Sequence, residues 1–159
     1  MARCVTRYFG ETEYEESAIL RFPAGLPGFE GEREFLAIEQ PEQRPLVFLQ
    51  SLSTPELCFV TLPVFAIDRN YRLEITEADR ELAGFRPNEE IRIGENAACL
   101  AILTIEESGV TANLLGPVVI NLTTRLAVQA VAPQISYSHR TPLPFEGGAR
   151  AGEAPGCCS

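Results

Sequence analysis

The sequence predicts an all-β fold, a compact antiparallel sheet with one or two short helices. Three observations carry this. The apolar segments are short, clusters of turn-forming residues separate them, and only one stretch has the start and stop signals of a helix. A barrel and a sandwich both satisfy the pattern, and spacing alone does not choose between them.

Residues 5–9 mix polar and β-favouring side chains, and residues 18–22 form a short apolar run stopped by Pro23. Residues 35–38, 47–52 and 57–62 are further short runs. Tyr71, Leu73 and Ile75 alternate with Arg72 and Glu74, as a half-buried strand requires. Residues 100–105, 111–114, 118–121 and 126–131 complete the set. Breakers stand between the runs at Pro23-Ala24-Gly25-Leu26-Pro27-Gly28, Ser53-Thr54-Pro55, Arg86-Pro87-Asn88, Glu107-Ser108-Gly109 and Gly116-Pro117. The helix is expected over 77–83, with Thr76 as its cap, Asp79 in its first turn and Gly84 as its left-handed stop. A second short turn is expected over 28–34. Residues 1–145 read as one domain, and the Gly, Ala and Pro-rich stretch 146–159 reads as a disordered tail.

Composition narrows the function. The net charge of -9 opposes direct nucleic-acid binding, which needs a basic stripe to neutralise phosphates, and suits a basic protein partner. All 13 basic residues are arginine, which excludes Schiff-base lysine chemistry and the phosphate-loop lysine. No apolar run approaches the roughly 20 residues of a membrane helix, and the first residues lack the apolar core of a signal peptide. The expected location is the cytoplasm, with no membrane contact. Of the five cysteines, Cys58 and Cys99 lie in apolar runs and are expected as buried, reduced thiols, while Cys4, Cys157 and Cys158 suggest no site.

Catalytic chemistry finds no set of residues. His139 is the one histidine; no base–nucleophile pairing, metal-ligand spacing or glycine-rich phosphate loop accompanies it. No catalytic residue, metal or cofactor is therefore expected. The glutamates at positions 11, 13, 15 and 16 read as a solvated strand edge, where charge discourages pairing with another chain.

Two stretches carry more. One is Ile19-Leu20-Arg21-Phe22-Pro23-Ala24-Gly25-Leu26-Pro27-Gly28-Phe29-Glu30; the other is Thr111-Ala112-Asn113-Leu114-Leu115-Gly116-Pro117-Val118-Val119-Ile120-Asn121. With Gln50 and Ser51, Phe59-Val60, Tyr71, Gln129 and Tyr137 in order between and after them, the chain resembles the FliW flagellar assembly factors over about residues 5–145. It departs at Leu62-Pro63, where that family has an acidic residue before the proline, and at Leu115-Gly116-Pro117, where an alanine–proline step is usual. The resemblance implies a compact, barrel-like β domain that binds flagellin in the cytoplasm. It also implies binding to the translational repressor carbon storage regulator (CsrA). Export of flagellin frees the factor to capture the repressor, away from the RNA-binding face, and flagellin translation resumes. The free chain is expected to be a monomer. An export chaperone for flagellin alone, and a barrel binding a small ligand with or without hydrolysis, are the alternatives.

If the partner is a basic repressor, acidic side chains must steer it. The candidates are Glu11, Glu13, Glu15 and Glu16 near the N-terminus, with Asp68, Glu74, Glu77 and Asp79 around the helix. The motif positions Phe22, Pro23, Gly25, Pro27, Gly28, Phe29, Gln50, Ser51, Tyr71, Thr111, Asn113, Leu114, Pro117, Asn121 and Gln129 are candidates too. Among them Gly25, Pro27, Gly28 and Pro117 suit turns, and Asn113 and Asn121 suit buried backbone groups at strand ends.

Overall fold

The computed structural model describes residues 2–131 and 137–143. The expected disordered tail, 146–159, lies outside them. Strands β1 (Ala2–Thr6) and β2 (Gly10–Tyr14) form a hairpin of their own. The main sheet contains β3 (Leu20–Arg21), β4 (Glu34–Ile38), β5 (Val47–Ser51), β6 (Cys58–Pro63), β7 (Ala97–Glu106), β8 (Gly109–Asn121), β9 (Ala127–Gln129) and β10 (Thr141–Pro142). Its antiparallel order is β10-β8-β7-β6-β5-β4-β3, and β9 pairs with the second half of β8. Arg21 donates its backbone N–H to the Arg125 carbonyl at 3.0 Å, beside a parallel bridge from Arg21 to Leu126. This contact draws β3 to the start of β9 and nearly closes the sheet into a barrel.

Both faces of the sheet are buried, which is why its strands read as apolar runs rather than strict alternations. Along β6, Phe59 faces one core while Cys58, Val60 and Leu62 face the other. The first core is the barrel interior. It takes Leu20, Phe22, Phe35, Val47, Leu49, Phe59, Leu100, Val118, Ile120 and Ala127, so every strand from β3 to β9 contributes. Phe22 and Phe35 meet edge to face there at 5.2 Å and are fully buried. The second core is covered from outside by the crossing from β6 to β7, through Val64, Tyr71, Ala83 and Phe85, and by Tyr8 and Phe9 of the N-terminal hairpin.

Helix α1 (Val64–Ile67) and helix α2 (Glu77–Leu82) lie in that crossing. The cap of α2 is as expected, with the Asp79 N–H donating to Thr76 Oγ1 at 3.1 Å. Gly84 follows at φ +77°, and a Cβ there would stand 3.0 Å from Leu126 Cδ1, so glycine serves both the backbone angle and the close approach to β9.

Four expectations are corrected. Residues 5–9 do not form one strand: β1 ends at Thr6, and Arg7, Tyr8 and Phe9 make the hairpin turn into β2. Tyr71, Leu73 and Ile75 do not form a strand: the segment is extended and its alternate side chains pack on the outer core, but it joins no ladder. Alternation reports one buried face, which a segment lying across a sheet also needs. Gly116-Pro117 does not separate two strands, because β8 runs through it. The breaker acts instead as a bulge, since Leu100 pairs with Val118 while Ile102 pairs with Asn113. Helix α1 was not expected; Pro63 caps a run whose short apolar residues read equally well as strand.

Candidate functional site

The open end of the barrel is lined by residues from both motif stretches. The first supplies a tight turn. Leu26 and Phe29 face each other across it, with the Phe29 N–H donating to the Leu26 carbonyl at 2.7 Å. Pro27 and Gly28, the latter at φ +85°, occupy the two central positions in the manner of a type II turn. Gly25 fixes where the turn sits. Its φ is +66°, and a Cβ would lie 2.6 Å from the Glu30 backbone, so the chain passes over itself only with glycine at this point. Phe29 is left 38% exposed and meets Phe59 edge to face at 5.3 Å.

The second stretch supplies the bulge in β8. Asn113 Oδ1 accepts from the Leu115 N–H at 3.1 Å and the Gly116 N–H at 2.8 Å, and Gln129 Nε2 donates to the Gly116 carbonyl at 2.8 Å. Gly116 is buried; a Cβ there would stand 3.1 Å from Gln129 Nε2 and 3.2 Å from Asn113 Nδ2. Tyr71 holds the same bulge from the outer core by donating its hydroxyl to the Leu114 carbonyl at 2.8 Å. Burial first, then the nearby Cys99, Tyr137 and Glu74, push its phenol well above the ordinary value, so it stays a neutral donor.

Together these elements enclose a pocket of about 320 Å³, lined by the Leu26-Pro27 and Phe29 turn, by Phe59, Ile102 and Thr104, and by Asn113 and Gln129, with His139 and Arg140 as its rim. Strand alternation explains the lining. Ala112 and Leu114 face the outer core, so Asn113 faces the barrel; Val128 and Ala130 do likewise, so Gln129 does too. The rim is delivered by residues 137–143. Tyr137 stacks on Tyr71 at 4.5 Å, the Leu114 N–H donates to the Ser138 carbonyl at 3.0 Å, and Thr141–Pro142 pairs with β8. Arg140 then reaches Glu106 at 2.7 Å.

The remaining motif residues hold the scaffold. Gln50 is fully buried and donates to the carbonyls of Pro55 and Leu57 at 3.1 and 3.2 Å, pinning the β5–β6 loop. Ser51 donates to Glu32 at 2.5 Å, and Ser53 and Thr54 join it at 3.0 and 2.7 Å. Burial alone would raise the Glu32 pKa, but those three hydroxyls outweigh it and hold the carboxyl below its ordinary value. Asn121 ties α2 to the turn after β8, donating to the Ala83 carbonyl at 2.9 Å and accepting from the N–H groups of Thr123 and Thr124. Phe22 is a core ring, Pro23 follows it into the turn, Pro117 is buried beside the bulge, and Thr111 pairs with Pro142.

The acidic candidates fall into two groups. Glu11 and Glu13 on β2 both reach Arg3 on β1, at 3.9 and 3.2 Å, and Glu15 and Glu16 are exposed just beyond. Asp68 accepts from the Asn70 N–H after α1; Glu74 precedes α2, and Glu77 and Asp79 lie in its first turn. Among the described residues no ion pair or strand pairing links one group to the other. Sequence reasoning missed Thr104 and Ile102 at the mouth. Their only signal was strand alternation, and that does not say which end of a barrel stays open. His139 is exposed; no carboxylate, serine or cysteine stands with it in the lining, where Thr104 supplies the one hydroxyl. Among the described residues no group of three His, Cys, Asp or Glu is placed to hold a metal, and no helix is long and apolar enough to cross a membrane.

This arrangement has counterparts. The model of the FliW protein family matches residues 3–143. A flagellar assembly factor FliW from Bacillus licheniformis is 37% identical over 140 residues, covering 87% of this chain and 94% of the relative. Those named the same in Syntrophomonas wolfei and Bacillus subtilis are 35% and 31% identical, covering 88% and 94% of their own lengths. A crystal structure of the flagellar assembly factor FliW superposes with a TM-score of 0.78 at 32% identity, covering 92% of this chain and 99% of that one. The fold is thus a known one, and the chain belongs to the FliW family.

Proposed function

We propose that this protein is a flagellar assembly factor that works by binding, not by catalysis. It binds flagellin in the cytoplasm and, when flagellin is exported, captures the repressor carbon storage regulator, so that flagellin translation resumes. The observation that carries the reading is the family match over residues 3–143, with relatives named flagellar assembly factors. The geometry fits a binding protein: the barrel interior is filled, the one pocket described is lined by no carboxylate, and its titratable lining groups are His139 and Arg140. A hydrolytic site would need a second acid–base or orienting group beside His139, and the lining supplies only an arginine already paired with Glu106. Apolar anchors suit flagellin, and Phe65, 42% exposed on α1, stands three residues before Asp68, one of the acidic residues that suit a basic repressor.

The test uses the purified chain with flagellin and the repressor from the same organism, singly and together. Flagellin is expected to bind and to displace the repressor. Binding of flagellin without the repressor would leave a dedicated export chaperone, and binding of neither would refute the reading.

A further inference from the structure

We propose that the free edge of β9 at the barrel mouth is a strand-addition site. It takes an extended segment of a protein partner and turns one apolar side chain of that segment into the mouth. The inference rests on the reading of this chain as a binding protein, but not on which protein it binds.

The opening begins at a proline. Arg21 on β3 gives its N–H to the Arg125 carbonyl at 3.0 Å, beside its parallel bridge to Leu126. In such a ladder the bonds fall on every second residue, and Phe22 bonds the other way, its N–H on the Arg33 carbonyl at 2.8 Å. The next N–H directed at β9 would be that of residue 23, and Pro23 has none. The chain then leaves β9, with the Gly25 N–H turned back onto the Phe22 carbonyl at 2.9 Å. The closure made by β3 stops at Leu126 for this reason.

Past that point β9 has one paired edge and one free edge. The Asn121 N–H donates to the Leu126 carbonyl at 2.9 Å, and the Ala130 N–H to the Pro117 carbonyl at 2.8 Å. With Val128 opposite Val119, residues 126, 128 and 130 bond to β8, and Ala127 and Gln129 turn their backbone groups away from it. Ala127 is fully buried where the free edge starts; Gln129 is partly exposed and reaches the mouth. Among the described residues neither the backbone N–H nor the carbonyl of Gln129 has a hydrogen-bond partner. Val131, two residues on, is 57% exposed.

An N–H and a carbonyl side by side on a strand edge are satisfied by the main chain of another strand, which selects a polypeptide over a small apolar molecule. The pocket beside that edge sets the side chain. Leu26, Phe29, Phe59 and Ile102 are its apolar walls, and its volume of about 320 Å³ is that of a small ligand pocket. Phe29 is 38% exposed, so an apolar occupant removes its ring from water. Charge plays no part. Arg140 is paired with Glu106 at 2.7 Å, and Glu30 accepts from the Gly28 N–H in the lining turn at 3.0 Å. Recognition through the main chain and one apolar group is insensitive to salt.

The experiment titrates the full, isotopically labelled chain with uncharged seven-residue peptides, blocked at both ends, that carry a central leucine between threonines and valines. Two further peptides are N-methylated at alternate residues, one on each edge, and a fourth has glycine at the centre. An added strand uses the N–H groups of one edge only. One methylated peptide is therefore expected to bind about tenfold more weakly than the parent, and the other as well as the parent. The glycine peptide should also lose about tenfold. The Gln129 backbone N–H should shift and gain exchange protection, and added salt should change the affinity by less than about twofold. Pro23→Ala, which supplies the missing N–H to β9, should weaken the parent peptide; the methylated pair is read on the unchanged chain, so the test does not depend on how that variant folds. Equal loss for both methylated peptides, loss for neither, no protection at Gln129, or no binding at millimolar peptide would each overturn the proposal. Capture of flagellin or the repressor by the whole chain is measured separately, so failure here is distinguishable from failure of the assembly-factor reading.

Discussion

Replacing Asn121 by alanine tests whether one buried amide joins helix α2 to the β8–β9 turn. Asn121 is 2% exposed and makes three hydrogen bonds. Their loss is not uniform. The Ala83 carbonyl keeps the Thr124 hydroxyl, at 3.2 Å, so it is not orphaned. The N–H groups of Thr123 and Thr124 lie in an exposed turn, where water replaces part of what is lost. Each net hydrogen bond then contributes about 0.5–1 kcal/mol, below the cost of a fully buried orphan. The space left by the amide adds about 1 kcal/mol. The sum is about 2–4 kcal/mol. With a urea m-value of about 2 kcal/mol/M for a domain of this size, the midpoint should fall by about 1–2 M with the slope unchanged. Hydrogen exchange should rise over residues 77–84 and 121–126 before it rises in β6 and β7. A midpoint lowered by less than about 0.3 M, or protection lost evenly across the sheet, would refute the idea that this amide is a specific tie.

Four further outcomes follow from the same geometry. Tyr71→Phe removes the hydroxyl on the Leu114 carbonyl but keeps the stack with Tyr137, and should cost about 1–2 kcal/mol in urea unfolding. Because burial raises the Tyr71 pKa, its contribution is whole below the unfolded tyrosine value of about 10 and is lost as pH rises beyond it, so the variant should lose less stability under alkali. Glu32 has the opposite sign: its lowered pKa adds stability that is present above the ordinary carboxylate range and lost as pH falls through the folded value, so Glu32→Gln should flatten acid unfolding. Reversing Glu11, Glu13, Glu15 and Glu16 together should slow association with the repressor several-fold at low salt and little at high salt, measured by stopped flow, while flagellin binding changes less. Truncation after Glu146 should leave thermal stability and flagellin binding unchanged; a large loss of either, by calorimetry or titration, would show that the tail docks.

The parts of the fold legible in the sequence are those written locally. The α2 cap at Thr76, its stop at Gly84 and the turn at Leu26-Pro27-Gly28-Phe29 each depend on backbone angles that a few neighbouring residues set. The strands β4 to β7 were legible because their apolar runs are bounded by turn residues. Tyr71, Leu73 and Ile75 misled because an extended cover segment and a strand share one periodicity. Gly116-Pro117 misled because a bulge and a chain break use the same residues. Of the candidate site, Pro27, Phe29, Asn113 and Gln129 were recognisable as motif positions, but nothing local placed them around one opening.

By itself, then, the sequence determined an all-β chain with a net acidic surface, the turn chemistry at its corners, and membership of a family through two ordered motifs. Only the tertiary structure decided that both faces of the sheet are buried, that β3 returns to Leu126 and nearly closes the barrel, and that the two motif stretches line one opening. The reason is separation along the chain. The bonds from Asn121 to Ala83, from Tyr71 to Leu114 and from Gln129 to Gly116 join residues that no local signal connects, and they form only once packing has already brought those strands together.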